Sequence, residues 1–311
     1  LGAVAGSKYD VLDELNAFPR IPGDLSDLSL AAVVVLYLQG PRGPQGFLTA
    51  NLTGVALDPT MEKWLFLGFF IAFAIKAPMF PVHTWLPDAA QNAPAGTSTL
   101  LVGVLDKVGT FGMLTLCLPL FPNASRWAAP VIIVLAVASV LYGALLAIGQ
   151  EDLMRLIAYT SVSHFGFIVL GIFAFTSTSV AGASLYMVNH GLSTGLLFLV
   201  AGMLVARRGS QTIADFGGLQ KVVPVLAGVF LVAGLSALSL PGLSTFVSEF
   251  LVLVGTFARS GPAAVVAVPP TAATRALALP PPAVASSLLT ASISATSSPA
   301  LAARRTAASS S

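Results

Sequence analysis

TSTLLVGVLDKVGTFGMLTLCL (97–118) decides the fold. A transmembrane helix takes about 20 predominantly apolar residues, and this stretch supplies them with Lys107 at its centre. A charge at mid-helix costs at least ~3 kcal/mol on insertion scales. Lys107 stands about ten residues from either end, or ~15 Å by helical rise. Its stem therefore reaches the headgroups only with difficulty, which weakens the plainer reading of a snorkelling lysine. A lysine kept at that depth is expected to face a protein-lined, hydrated interior and to mark an ion or proton path.

The pattern recurs along the chain. Lys76 lies in FIAFAIKAPMFPVHTWLP (70–87), His164 in YTSVSHFGF (159–167), His190 in YMVNHGLSTG (186–195) and Glu249 just after SLPGLSTF (239–246). Each belongs to a different apolar run, so together with Lys107 they read as a chain of relay stations. Composition agrees with a bilayer setting. The 311 residues are 56% hydrophobic and 9% charged, against about 25% charged in an ordinary soluble domain. The class is therefore all-α, a polytopic membrane helix bundle. A net charge of +2 offers no basic surface for nucleic acid. The single Cys117 excludes a disulfide framework or a cysteine-rich metal site, and no Rossmann or P-loop glycine pattern is present. The chain opens on Leu1 with no signal-peptide pattern in residues 1–20, and a fragment of a longer protein is expected.

Three regions follow from composition. Residues 1–63 are a partial N-terminal region: polar up to 29, an apolar stretch at 30–38 too short to span alone, then a Gly/Pro-containing loop. Residues 64–257 are the membrane bundle, with about six spans expected at 64–80, 97–120, 128–149, 155–175, 181–206 and 222–257. Pro78 and Pro241–Gly242 should break the first and last of these, because proline removes a backbone donor and clashes with the preceding turn. Broken helices at membrane depth line cavities and free backbone groups for ions and water. Residues 258–311 are rich in Ala, Pro and Ser and are expected to be disordered. Their abrupt change of character reads as a shifted frame or cloning artefact. Arg155, Arg207, Arg208 and Lys221 place the loops at 81–96, 150–155 and 207–221 on the cytoplasmic side, opposite Lys63, Arg126 and Arg259.

The candidate residues have chemistry suited to a relay. A buried lysine changes protonation readily when a neighbouring charge moves. Histidine carries protons near neutral pH through two ring nitrogens. Thr160 lies four residues before His164, and Tyr186 and Thr194 lie four residues either side of His190, so these hydroxyls share helix faces with the imidazoles. The plainer alternatives are buried histidines satisfied by one neighbour and, for Glu249, an acid at headgroup level. Asp106 is read as a counter-ion of Lys107 through water, or as a contact to another helix. His83 and Asp88 are expected at a loop or cavity mouth, Trp85 as an interfacial anchor, and Glu151, Asp152 and Arg155 as a solvated turn.

FFIAFAIKAPMFPVHTWLPDA, LLVGVLDKVGTFG, LIAYTSVSHFGF, NHGLSTGLLFL and LPGLSTFVSEFLVLVGTF resemble, in this order, the antiporter-like membrane subunits of respiratory complex I. Within that family they are most similar to the chain M type of bacterial NADH-quinone oxidoreductase, the counterpart of mitochondrial subunit 4. The resemblance covers about 64–257. It implies a fold of inverted five-helix repeats with broken helices at Pro78 and Pro241. It also implies a proton relay of Lys76, Lys107, His164, His190 and Glu249. On this reading the chain is part of a translocase driven by NADH-to-quinone electron transfer elsewhere. It carries no cofactor or redox centre itself, and flavin and iron–sulfur clusters sit on partner subunits. Its partners are other complex I membrane subunits, especially neighbouring antiporter-like ones, and the bilayer, with the bacterial plasma membrane as location. The family's glutamate that pairs with the Lys76 position has no equivalent here, its last two helices are replaced by the tail, and Asp106 stands where many members are apolar. Two rivals remain: a subunit of a multi-subunit sodium/proton antiporter, whose family shares these motifs, and a non-functional translated fragment.

Overall fold

The computed structural model describes residues 23–41 and 43–268. Helices dominate, and among the described residues the β-structure is a single bridge between Asp152 and Thr212. The first helix, α1 (Gly23–Gln39), starts upstream of the apolar stretch at Leu30, in sequence read only as polar. A 3₁₀ turn (Pro44–Phe47) and a short helix (Thr49–Leu52) occupy the expected loop. Next comes α2 (Pro59–Lys76). It begins before residue 64 because Asp58 caps it, accepting from the backbone N–H of Thr60 at 2.9 Å and of Met61 at 3.3 Å. Pro59 occupies the first turn, where its missing N–H costs nothing.

The chain breaks after Lys76 and becomes helical again at α3 (Trp85–Asn92). Side chains satisfy the backbone exposed by this break. The Trp85 indole donates to the Ile75 carbonyl at 2.9 Å, and the Phe80 N–H donates to Ser139 Oγ at 3.2 Å. Trp85 is thus a stitch across the break. Among the described residues four helices are long and apolar enough to cross a membrane: α4 (Ala95–Leu120), α5 (Pro122–Ile148), α6 (Leu153–Phe173) and α7 (Ser177–Arg208). Asp152 and Thr176 cap α6 and α7, and Gly209 ends α7 in the left-handed conformation at φ 74°. The last expected span divides into α8 (Pro224–Ala237) and α9 (Ser244–Arg259), with Pro241 in the gap. The expected disorder after 257 does not hold at its start. Residues 261–268 form a further helix, α10, in which Pro262 occupies the first turn and Ala264 and Ala267 are buried. Residues 1–22 and 269–311, on which the remaining terminal expectations fall, lie outside the described residues.

The centre of the bundle is α6, with 78% of its apolar window buried against 39% for α4 and for α5. Glycines let helices approach, α6 against α5 at Gly166 and α9 against α7 at Gly255. A Cβ on Gly166 would stand 2.7 Å from the Ala136 carbonyl oxygen, and one on Gly255 would stand 2.3 Å from the Ser179 nitrogen. The outward faces carry Leu100, Val104, Phe111, Val134, Leu145 and Leu192, all exposed. Apolar side chains outside and ionisable ones inside suit a lipid surround.

The three loops expected on one side do meet at one end of the bundle. Arg155 pairs with Asp88 at 3.0 Å and donates to Gln91 Oε1 at 2.9 Å, and Gln211 Nε2 donates to the Gln91 carbonyl at 3.1 Å. The turn at Glu151–Arg155 is therefore a bonded junction. At the other end, buried Glu62 caps α5, accepting from Asn123 N–H at 2.9 Å and Ala124 N–H at 3.0 Å. A carboxylate at a helix N-terminus satisfies orphan donors and meets the positive end of the dipole.

Candidate proton path

The site begins on α4, whose winding loosens on both sides of Lys107. Leu101–Leu105 and Met113–Cys117 are π-helical, and the Asp106 N–H reaches back five residues to Leu101 O at 3.0 Å. Such insertions recur at functional sites. The half-buried Lys107 ammonium donates to the Val102 carbonyl, lies 5.1 Å from the centroid of the Phe165 ring and meets His190 Nδ1 at 2.8 Å. This meeting depends on close helices: a Cβ on Gly191 would stand 2.7 Å from Gly103 O, so α4 and α7 touch backbone to backbone there. Gly109 does the same against the break after α2, where a Cβ would stand 2.6 Å from the Ala77 nitrogen.

From His190 the contacts run inward. Its Nε2 meets Ser161 Oγ on α6 at 3.2 Å, and its ring centroid is 5.2 Å from that of His164. His164 Nδ1 lies 2.6 Å from the Tyr186 hydroxyl, which donates to Glu249 Oε2 on α9 at 3.4 Å. Donor logic gives this line a polarity. A Lys107 ammonium has only protons to give, so His190 Nδ1 accepts and Nε2–H faces Ser161. The Tyr186 proton points to Glu249, so the His164 Nδ1–H donates to the Tyr186 oxygen. The hydrogen-bonded contacts form two segments, Lys107–His190–Ser161 and His164–Tyr186–Glu249, and the two imidazole rings stand 5.2 Å apart between them.

Four of the five candidates therefore lie on one line. Lys76 does not join it: it is exposed at the C-terminal end of α2, where the chain turns away at Ala77–Pro78. Asp106 is buried, and its Oδ2 has no hydrogen-bond partner among the described residues. Tyr186 was expected beside His190 but bonds His164 and Glu249 instead, because the neighbouring helices decide which way its ring end reaches. Thr160 donates to its own helix at Ile157 O, 2.7 Å away. His83 lies in the loop between α2 and α3, where it is buried against Tyr142 with ring centroids 5.1 Å apart. Ser161 was missed, although its place three residues before His164 put it on the same face. Among the described residues no three His, Cys, Asp or Glu side chains gather into a metal-binding group.

A family model described as "NADH:quinone oxidoreductase/Mrp antiporter, TM" matches residues 23–274. The chain belongs to this family. NADH-quinone oxidoreductase subunit M of Mycobacterium tuberculosis (strain CDC 1551 / Oshkosh) is 55% identical over 239 residues, covering 75% of this chain and 43% of the relative. The subunit of the same name from Rickettsia prowazekii is 45% identical over 196 residues, 63% of this chain and 40% of the relative. The chain thus spans less than half the length of these curated relatives. A chain of respiratory complex I from Thermus thermophilus with bound NADH superposes with a TM-score of 0.80 at 38% identity, over 86% of this chain and 57% of that one. A chain of the Mrp complex from Dietzia sp. DQ12-45-1b superposes at 0.72 with 25% identity, over 82% and 48%. The helical bundle agrees with the all-α membrane fold expected for this family.

Proposed function

We propose that the protein is a proton-translocating membrane subunit of an NADH-quinone oxidoreductase, carrying protons along Lys107, His190, His164, Tyr186 and Glu249. Two hydrogen-bonded segments across α4, α7, α6 and α9, Lys107–His190–Ser161 and His164–Tyr186–Glu249, with imidazole rings 5.2 Å apart where they meet, support this reading, and the subunit M relatives support the complex. Lys76 stands at the intake side, next to the break that packs on Gly109. A charge moved there by redox events in partner subunits would alter the proton affinity of Lys107 through the shared α2–α4 contact. No redox step occurs on this chain, and flavin and iron–sulfur chemistry belongs to partner subunits. Neighbouring antiporter-like subunits flank it in the bacterial plasma membrane, with the Asp88–Arg155–Gln211 end toward the cytoplasm.

Lys107→Ala in the full-length subunit of an intact complex tests the reading. Loss of proton translocation with the complex still assembled is expected, whereas a wild-type proton-to-electron ratio would refute it. The likeness to the Mrp complex supports a second reading, a sodium/proton antiporter subunit. Sodium-dependent transport in membranes without NADH dehydrogenase activity would favour that reading. Blue-native electrophoresis of the 311-residue product separates both from an inert fragment, which would fail to comigrate with a large complex.

A further inference from the structure

Beside the line lies a cavity of about 30 Å³, lined by Thr160, Ser163, His164, Phe167, Ala237, Leu238, Ser239 and Glu249. The break between α8 and α9 forms part of its wall through Leu238 and Ser239. One water needs ~10–15 Å³ and two to four polar partners, so one or two waters fit. The lining hydroxyls are not equivalent. Thr160 Oγ1 donates to Ile157 O at 2.7 Å and Ser163 Oγ to Val140 O at 3.0 Å. Both protons are engaged, and these groups can only accept. Ser239 is 1% exposed, and its Oγ has no hydrogen-bond partner among the described residues. It is the lining hydroxyl that can still both donate and accept. A hydroxyl so deeply buried without a partner costs stability unless water meets it. The backbone adds a second sign. Ser239 sits at φ 49°, in the left-handed region that favours glycine. Its N–H is tied to Ser236 O at 2.9 Å, so the break imposes this conformation on a residue ill suited to it. Strained residues of this kind collect at functional sites.

We propose that Ser239 anchors a bound water in this cavity, and that this water completes the transfer between His164 and Glu249. The inference rests on the proton-path reading above and assigns a positioning residue within it. The direct link there is long, the 3.4 Å contact from Tyr186 to Glu249. The water accepts from the Ser239 O–H and donates to the Glu249 carboxylate. When a proton arrives from His164 on a free lone pair, the water releases its own along the bond to Glu249 and ends neutral. No bond to any other atom changes.

Two measurements on the intact complex with its full-length subunit decide the matter. A cryo-EM map that resolves ordered water should show density within hydrogen-bond distance of both Ser239 Oγ and the Glu249 carboxylate. An empty or side-chain-filled cavity would overturn the water site. Ser239→Gly removes the hydroxyl while relaxing the left-handed backbone, so the fold is retained. It should slow proton translocation about fivefold, as loss of one hydrogen bond implies, and enlarge the solvent deuterium isotope effect. Unchanged rate and isotope effect would overturn the role of Ser239. Lys107→Ala in the same preparation keeps the two readings apart. If it pumps normally, the proton path itself fails. If it loses pumping while Ser239→Gly does not, only the water-anchoring role fails.

Discussion

Tyr186→Phe is the most informative substitution on the line. Tyr186 is fully buried between His164 and Glu249, and phenylalanine keeps the ring and its packing against Phe167, at 6.2 Å between centroids. Only the hydroxyl goes, and with it the 2.6 Å contact to His164 Nδ1 and the 3.4 Å contact to Glu249 Oε2. Hydrogen bonds to charged groups are worth about 1.5–3 kcal/mol. The Glu249 contact is long, which puts the loss at the low end of that range, while the short His164 contact raises it. At about 1.4 kcal/mol per factor of ten, an added barrier of about 1.5–2 kcal/mol slows transfer roughly 10- to 30-fold. Full loss is not expected, since water in the adjoining cavity leaves a slower route. The assay is NADH-driven acidification of proteoliposomes holding the intact complex, followed with a pH-sensitive dye against NADH oxidation. Wild-type acidification per electron, in a complex that assembles normally, would show that protons do not pass this hydroxyl.

Other perturbations test neighbouring parts of the account. Gly191→Ala places a methyl 2.7 Å from Gly103 O, which should part α4 from α7, lengthen the Lys107–His190 contact and cost about 1–3 kcal/mol of overpacking. A thermal-shift assay should show a lower Tm and the pumping assay a reduced rate; if both stay unchanged, the close crossing is wrong. Ser161→Ala removes the partner of His190 Nε2 and should slow translocation about fivefold, for a loss of ~1 kcal/mol, with the Tm nearly unchanged. Glu62→Ala removes the cap of α5 and should lower stability by about 1–2 kcal/mol with no effect on the proton-to-electron ratio. A changed ratio there would mean that Glu62 belongs to the path.

The long spans were legible because a bilayer demands length and apolarity, and α4 to α7 have both. The two breaks were legible from Pro78 and Pro241, whose rings cannot continue a helix. The start of α1 was not, because Asp24 and Asp27 dilute the apolar signal ahead of Leu30. Nor were helix starts such as Pro59, where the cap at Asp58 lies outside the apolar run. Lys107, His164, His190 and Glu249 could be picked out one by one, since each is costly where it stands. Which of them touch could not be read. The pairing of Lys107 with His190 depends on backbone approach at Gly103 and Gly191, and the reach of Tyr186 to Glu249 depends on how α9 crosses α7. Lys76 shows the limit: its place at the end of an apolar run was readable, its exposure was not. The left-handed backbone at Ser239 left no signal at all, because serine does not advertise that conformation.

The central claim is that protons pass through the contact of Lys107 with His190. The most direct measurement is the proton-to-electron ratio of the purified complex carrying Lys107→Met in its full-length subunit, with assembly verified by native electrophoresis. Methionine keeps the length of the stem and removes the proton-carrying nitrogen. The account predicts a ratio below wild type in a fully assembled complex. A wild-type ratio would contradict it.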